Sequence, residues 1–114
     1  MAGPAARLDR YIEGSPCLHF RFSGAEEGRT VVMLHSSTQH VGVWDEVVPV
    51  FSGFRVAALD LRGHGRSGHS DACAADDYIS DVERLVDTLG GSSIALVGHS
   101  MGSLVAMRCS ARHP

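Results

Sequence analysis

The chain has 114 residues, 44% of them apolar and 20% charged, which is the make-up of one small globular domain and not of a disordered or fibrous chain. A net charge of −3, with all ten basic residues arginine and none of them clustered, argues against a nucleic-acid partner. No apolar run reaches bilayer-spanning length and residues 1–14 lack the apolar core of a signal peptide, so neither a membrane partner nor export is expected.

In chain order, the first strand is expected around residues 10–13, with Gly14-Ser15-Pro16 as a turn. Residues 17–24, "CLHFRFSG", alternate as a half-buried strand, with Leu18, Phe20 and Phe22 on one face. Residues 30–35, 54–60 and 93–98 are nearly continuous apolar runs, as in strands covered on both faces. Between them, Trp44, Val47, Val48 and Phe51 follow helical spacing, with Pro49 awkwardly placed. A clearer helix starts near Asp76, carries Tyr78, Val82, Leu85, Val86 and Leu89 on one stripe, and stops at Gly90-Gly91. A last helix follows Ser100. The order is a strand pair and then β-α-β-α-β-α. It predicts a mostly parallel sheet with helices on both faces and an antiparallel N-terminal strand pair. Ligands then belong at the carboxyl ends of the parallel strands, where His35, Asp60 and residues 98–100 all fall.

The segment "VGHSMG", Val97–Gly102, places Gly-x-Ser-x-Gly between a strand and a helix. In that context the serine stands at the apex of a tight turn, and the helix start adds free N–H groups and a positive dipole end. A nucleophilic oxygen and a developing oxyanion both gain from that field. The competing reading is that Ser100 merely caps the helix. Gly63-His64-Gly65-Arg66-Ser67-Gly68 matches a dinucleotide fingerprint literally, but polar, irregular residues follow it where a helix should open, so a rim loop is expected. In that loop Asp60 and Arg62 would hydrogen-bond locally. Seven histidines are many for this length, and His64 and His69 with Asp60 and Asp71 offer donors, yet no ligand spacing is present and no metal site is expected. Cys17, Cys73 and Cys109 form no CxxC pair and no disulfide framework, in keeping with a reducing, cytoplasmic setting.

"LHSS" after one strand, "DLRGHGRSG" after the next and "VGHSMG" after the third, in that order and at these intervals, resemble the α/β-hydrolase family. The resemblance covers about residues 17–114. It implies that residues 1–114 are the N-terminal portion of a single α/β-hydrolase domain. It also implies a serine hydrolase of small ester or related acyl substrates, with Ser100 as nucleophile, the backbone N–H groups of Ser37 and Met101 as oxyanion donors, and no cofactor. Ser36 stands where the family usually has glycine, and His35 is expected to pin its loop.

The family order is serine, acid, histidine. Residues 101–114 contain no Asp or Glu, and their only histidine, His113, lies about 18 Å along the helix from the serine. The full fold also has about eight strands, against five here. The chain therefore reads as an N-terminal half whose base and acid lie elsewhere. The alternative is a truncated, non-catalytic half-fold that acts as an interaction module and self-associates through an exposed sheet edge.

Overall fold

The computed structural model describes residues 7–91 and 93–114. Five strands, β1 (Leu8–Ile12), β2 (Leu18–Gly24), β3 (Thr30–Leu34), β4 (Arg55–Leu59) and β5 (Ile94–Gly98), form one sheet in the order β1-β2-β4-β3-β5. β3 pairs in parallel with β4 and β5, and β2 is antiparallel to both β1 and β4. The register aligns Leu34 with Leu59 on one side and Gly98 on the other. All three parallel strands thus release their loops from one row, at His35, Asp60 and His99.

Two helices, α1 (Ala75–Leu89) and α2 (Met101–Arg112), complete the fold. The Asp77 carboxylate accepts the Ala74 N–H (2.9 Å), which satisfies one free donor at the start of α1. Ile79, Val82 and Leu85 turn inward, with Tyr78, Val86 and Leu89 half-buried beside them. These residues join Val105, Ala106 and Cys109 of α2 and Leu18, Phe20 and Phe22 of β2 in one core, so both α-helices pack on the same face of the sheet.

The other face is covered differently from the expectation. Where a helix over residues 43–51 was anticipated, two short 3-10 turns lie, Val41–Trp44 and Val48–Phe51. Pro49 has no N–H to give an α-helical carbonyl, so the segment breaks into two tighter turns. Trp44 still packs on Val31, Met33, Val56 and Ala58, with Val48 and Phe51 beside it, while Val47 faces outward. The alternation of β2 also misled in one respect. β2 lies between β1 and β4, so its polar positions His19 and Ser23 are buried rather than solvent-facing. No helix among the described residues is long and apolar enough to cross a membrane.

Candidate active site

Ser100 occupies the turn from β5 to α2 with φ 53° and ψ −113°, a backbone state that L-residues rarely adopt. It is one of two non-glycine residues with positive φ among those described; the other is Thr38. Such strain persists only where the surroundings enforce it. Here the enforcement is steric: α2 begins so close to the end of β3 that a Cβ on Gly102 would strike the Leu34 and His35 carbonyl oxygens. A Cβ on Gly98 would lie 2.6 Å from the Ser103 Cα. Glycine on both sides of the serine is therefore required for the turn to close. The His99 N–H donates to the Leu34 carbonyl (3.1 Å), and the Ser103 N–H and hydroxyl both donate to the Ser100 carbonyl (2.9 and 2.6 Å). The turn is fixed from both ends, and the serine is exposed at its apex.

Met101 is the first residue of α2, so its N–H has no acceptor within the helix. Across from it runs the loop from His35 to Val41. Among the described residues the Ser37 N–H has no hydrogen-bond partner, whereas the Ser36 N–H donates to the Gln39 side chain (3.2 Å). Ser36 keeps an ordinary backbone; the left-handed residue of the loop is Thr38, at φ 63°. A serine in the family's glycine position thus causes no strain here.

His35 is wholly buried. Its Nδ1–H donates to the Ser36 carbonyl (2.6 Å), and its Nε2 accepts the Leu61 N–H (3.0 Å). One ring therefore ties the first rim loop to the second, in a fixed neutral tautomer. Burial holds its pKa below the ordinary imidazole value, against an opposing pull from the Ser36 carbonyl. As the pH falls, the unfolded chain takes up a proton near pH 6.5 that the folded chain refuses. This contribution to stability is complete above about pH 6.5 and is lost below it, at no more than about 1.4 kcal/mol per pH unit. Urea melts at pH 7 and pH 5 should show that loss, and His35→Gln should shrink it; an equal pH dependence in parent and variant would refute the assignment.

Three other histidines are also engaged. His113 meets Glu83 (2.6 Å) at the far end of α2, and His64 meets the Arg62 carbonyl (2.9 Å). His19 lies between two carboxylates, with Nδ1 2.6 Å from Asp60 and Nε2 2.8 Å from Asp9. Among the described residues no imidazole or carboxylate is hydrogen-bonded to the Ser100 hydroxyl, and no group of three potential metal ligands converges.

Two rim residues bond locally, as expected, and over longer range as well. Arg62 gives an N–H to the Ala72 carbonyl of its own loop (2.6 Å) and makes a buried two-pronged pair with Asp81 of α1 (2.7 and 2.8 Å). Asp60 takes one local bond, from the Arg66 N–H, and two distant ones, from the Val41 N–H and from His19. Only the pairing of β1, β2 and β4, invisible in the sequence, brings Asp9, His19 and Asp60 together.

A family model described as alpha/beta hydrolase fold matches residues 29–114. Lipase LipV of Mycobacterium tuberculosis is 33% identical over 97 residues, which are 85% of this chain and 37% of that protein. Epoxide hydrolase 4 of Mus musculus is 32% identical, in a match that covers 99% of this chain and 35% of that protein. The thioesterase domain from the curacin biosynthetic pathway superposes with a TM-score of 0.89 at 28% identity, covering 96% of this chain and 41% of that one. The chain spans about a third of the length of the curated relatives it matches.

Proposed function

The chain belongs to the α/β-hydrolase fold family, and on that premise we propose that Ser100 is the nucleophile in hydrolysis of a small ester or related acyl substrate. The observation that carries this reading is the strained, exposed serine at the β5–α2 turn, closed by glycines on both sides. Ser100 Oγ attacks the acyl carbon, and the Ser37 and Met101 N–H groups take the negative charge that develops on oxygen. A histidine outside these 114 residues, oriented by an acid, accepts the serine proton and returns it to the leaving alcohol or thiol. The same histidine then deprotonates water, which cleaves the acyl-enzyme and restores the serine. The reaction so written needs no cofactor.

The relatives include hydrolases of esters and of epoxides. A serine favours acyl chemistry. Attack on an acyl carbon gives an ester that water can cleave, whereas attack on an epoxide carbon would give an ether that cannot turn over. The three cysteines are unpaired thiols, which fits a reducing cytoplasmic compartment.

The test on the chain itself is phosphonylation by a fluorophosphonate, mapped by mass spectrometry. Without a base the reaction is slow, but the adduct is expected on Ser100 ahead of the other serines. Label spread evenly over exposed serines would overturn the reading.

A second reading is favoured by one observation. β5 ends the sheet, and its sequence, Ile94–Gly98, carries no charge or proline to discourage edge pairing. We propose that the chain self-associates through this edge. Sedimentation is expected to show a concentration-dependent dimer that Ala95→Lys abolishes. A parent that stays monomeric at all concentrations contradicts it.

A further inference from the structure

Asp60 is 1% exposed, and its carboxylate is shared by three parts of the chain. Oδ1 accepts the Val41 N–H (2.8 Å), and Oδ2 accepts the Arg66 N–H (2.9 Å) and lies 2.6 Å from His19 Nδ1. A buried carboxylate with fewer partners would be costly, so these bonds are tightly held. Val41 is where the first rim loop ends, and His35, tied to Leu61, is where it begins. The arc between them carries Ser37 and the left-handed Thr38, and it is gripped at both ends by residues 60 and 61. Within the arc the Ser36 carbonyl, which shares a peptide plane with the Ser37 N–H, accepts from His35 Nδ1–H (2.6 Å) and from the Gln39 N–H (3.3 Å); the Ser36 N–H donates to the Gln39 side chain (3.2 Å) and the Thr38 hydroxyl to the Ser37 carbonyl (2.6 Å).

We propose that Asp60 is a positioning residue for the oxyanion donor: by holding the Val41 N–H it fixes the far end of the 35–41 arc, as His35 fixes the near end through the Ser36 carbonyl, and both grips are needed to hold the Ser37 N–H in one direction. The proposal rests on the reading of Ser37 as a donor, but the clamp itself does not depend on turnover. An oxyanion donor is useful only if it is oriented before the charge appears, since reorientation during the reaction consumes the gain. A long rim loop with a free N–H at its centre needs an anchor of this kind.

Two variants separate the clamp from general folding. Asp60→Asn keeps the size of the side chain and removes its charge. Val41→Pro removes the N–H that Asp60 holds and replaces a buried valine, packed with Trp44, by an apolar ring of similar bulk. Val41 opens a 3-10 turn, a place that accepts proline, and His40 before it already has the extended backbone (φ −158°, ψ 179°) that a residue preceding proline requires.

The readout is the backbone order parameter of the Ser37 amide by NMR, beside those of β3. In the parent a value near the rigid level, about 0.85, is expected; in both variants it should fall below about 0.6 while β3 stays rigid. If Asp60→Asn unfolds, Val41→Pro decides alone. Ser37 unchanged in a folded Val41→Pro chain overturns the proposal. Loss of β3 order in both variants also overturns it, because Asp60 would then serve folding and not the loop. Failure of the serine reading shows separately, as a fluorophosphonate adduct away from Ser100 with Ser37 order intact.

Discussion

Replacing Ser100 with alanine is expected to lower ester turnover roughly 10⁴- to 10⁶-fold in a protein that sets a histidine base beside this turn. A longer chain that contains residues 1–114 and hydrolyses an ester is the protein in which to measure it. The loss should fall on kcat with KM nearly unchanged, because the hydroxyl forms its bond in the transition state and not on binding. Oxyanion donors alone sustain only about 10³- to 10⁴-fold over water, and that residue of activity should survive in the variant. Ser100→Gly should lose turnover equally while raising stability by about 1 kcal/mol, since glycine takes φ 53° without strain. Turnover near the parent level in either variant would remove Ser100 from the chemistry.

Gly102→Val is expected to cost more than about 4 kcal/mol, enough to unfold a domain of ordinary stability. The added carbons meet the carbonyl oxygens of Leu34 and His35, which are backbone atoms at the end of the innermost parallel strand. Neither can move without shifting β3 against β4 and β5. Gly53→Ala provides the control: it has φ +89° but nothing within 4 Å of a new Cβ, so it should cost only about 1 kcal/mol of backbone strain. Urea melts of the two variants give the comparison. Similar midpoints for Gly102→Val and the parent would mean that α2 does not approach β3 as described.

Much of this was legible in the chain because the parallel strands announce themselves. Residues 30–35, 54–60 and 93–98 are apolar on both faces, and the structure places β3, β4 and β5 within them. Gly-x-Ser-x-Gly could be located for the same reason: a strand stops at Gly98 and a helix opens at Met101. In residues 43–51 the apolar spacing marks which residues turn inward; Pro49, awkward for a helix already in the sequence, breaks the segment into two 3-10 turns instead. The half-buried alternation expected of residues 17–24 gives no sign that His19 is buried. Its burial depends on β4 lying beside β2, a pairing between residues 31 to 39 apart that no local pattern encodes. Asp60 was assigned to the rim correctly, but its partners Val41 and His19 come from other elements for the same reason. Ser36 looked like a departure from the family's glycine. The backbone puts the left-handed position two residues later, at Thr38, so the substitution is harmless.

The strand order has a kinetic consequence. β1 and β2 are joined by five residues and pair as neighbours, so they can form early at little entropic cost. The second edge of β3, by contrast, is closed only by β5, whose residues pair with it across more than sixty positions of chain. The turn that strains Ser100 is completed only when that pairing closes, and β5 is held on one edge alone. Its amides should therefore exchange with solvent through local opening well before those of β2 and β4. Among these five strands, the one that carries the Ser100 turn closes over the longest span of chain and is released first.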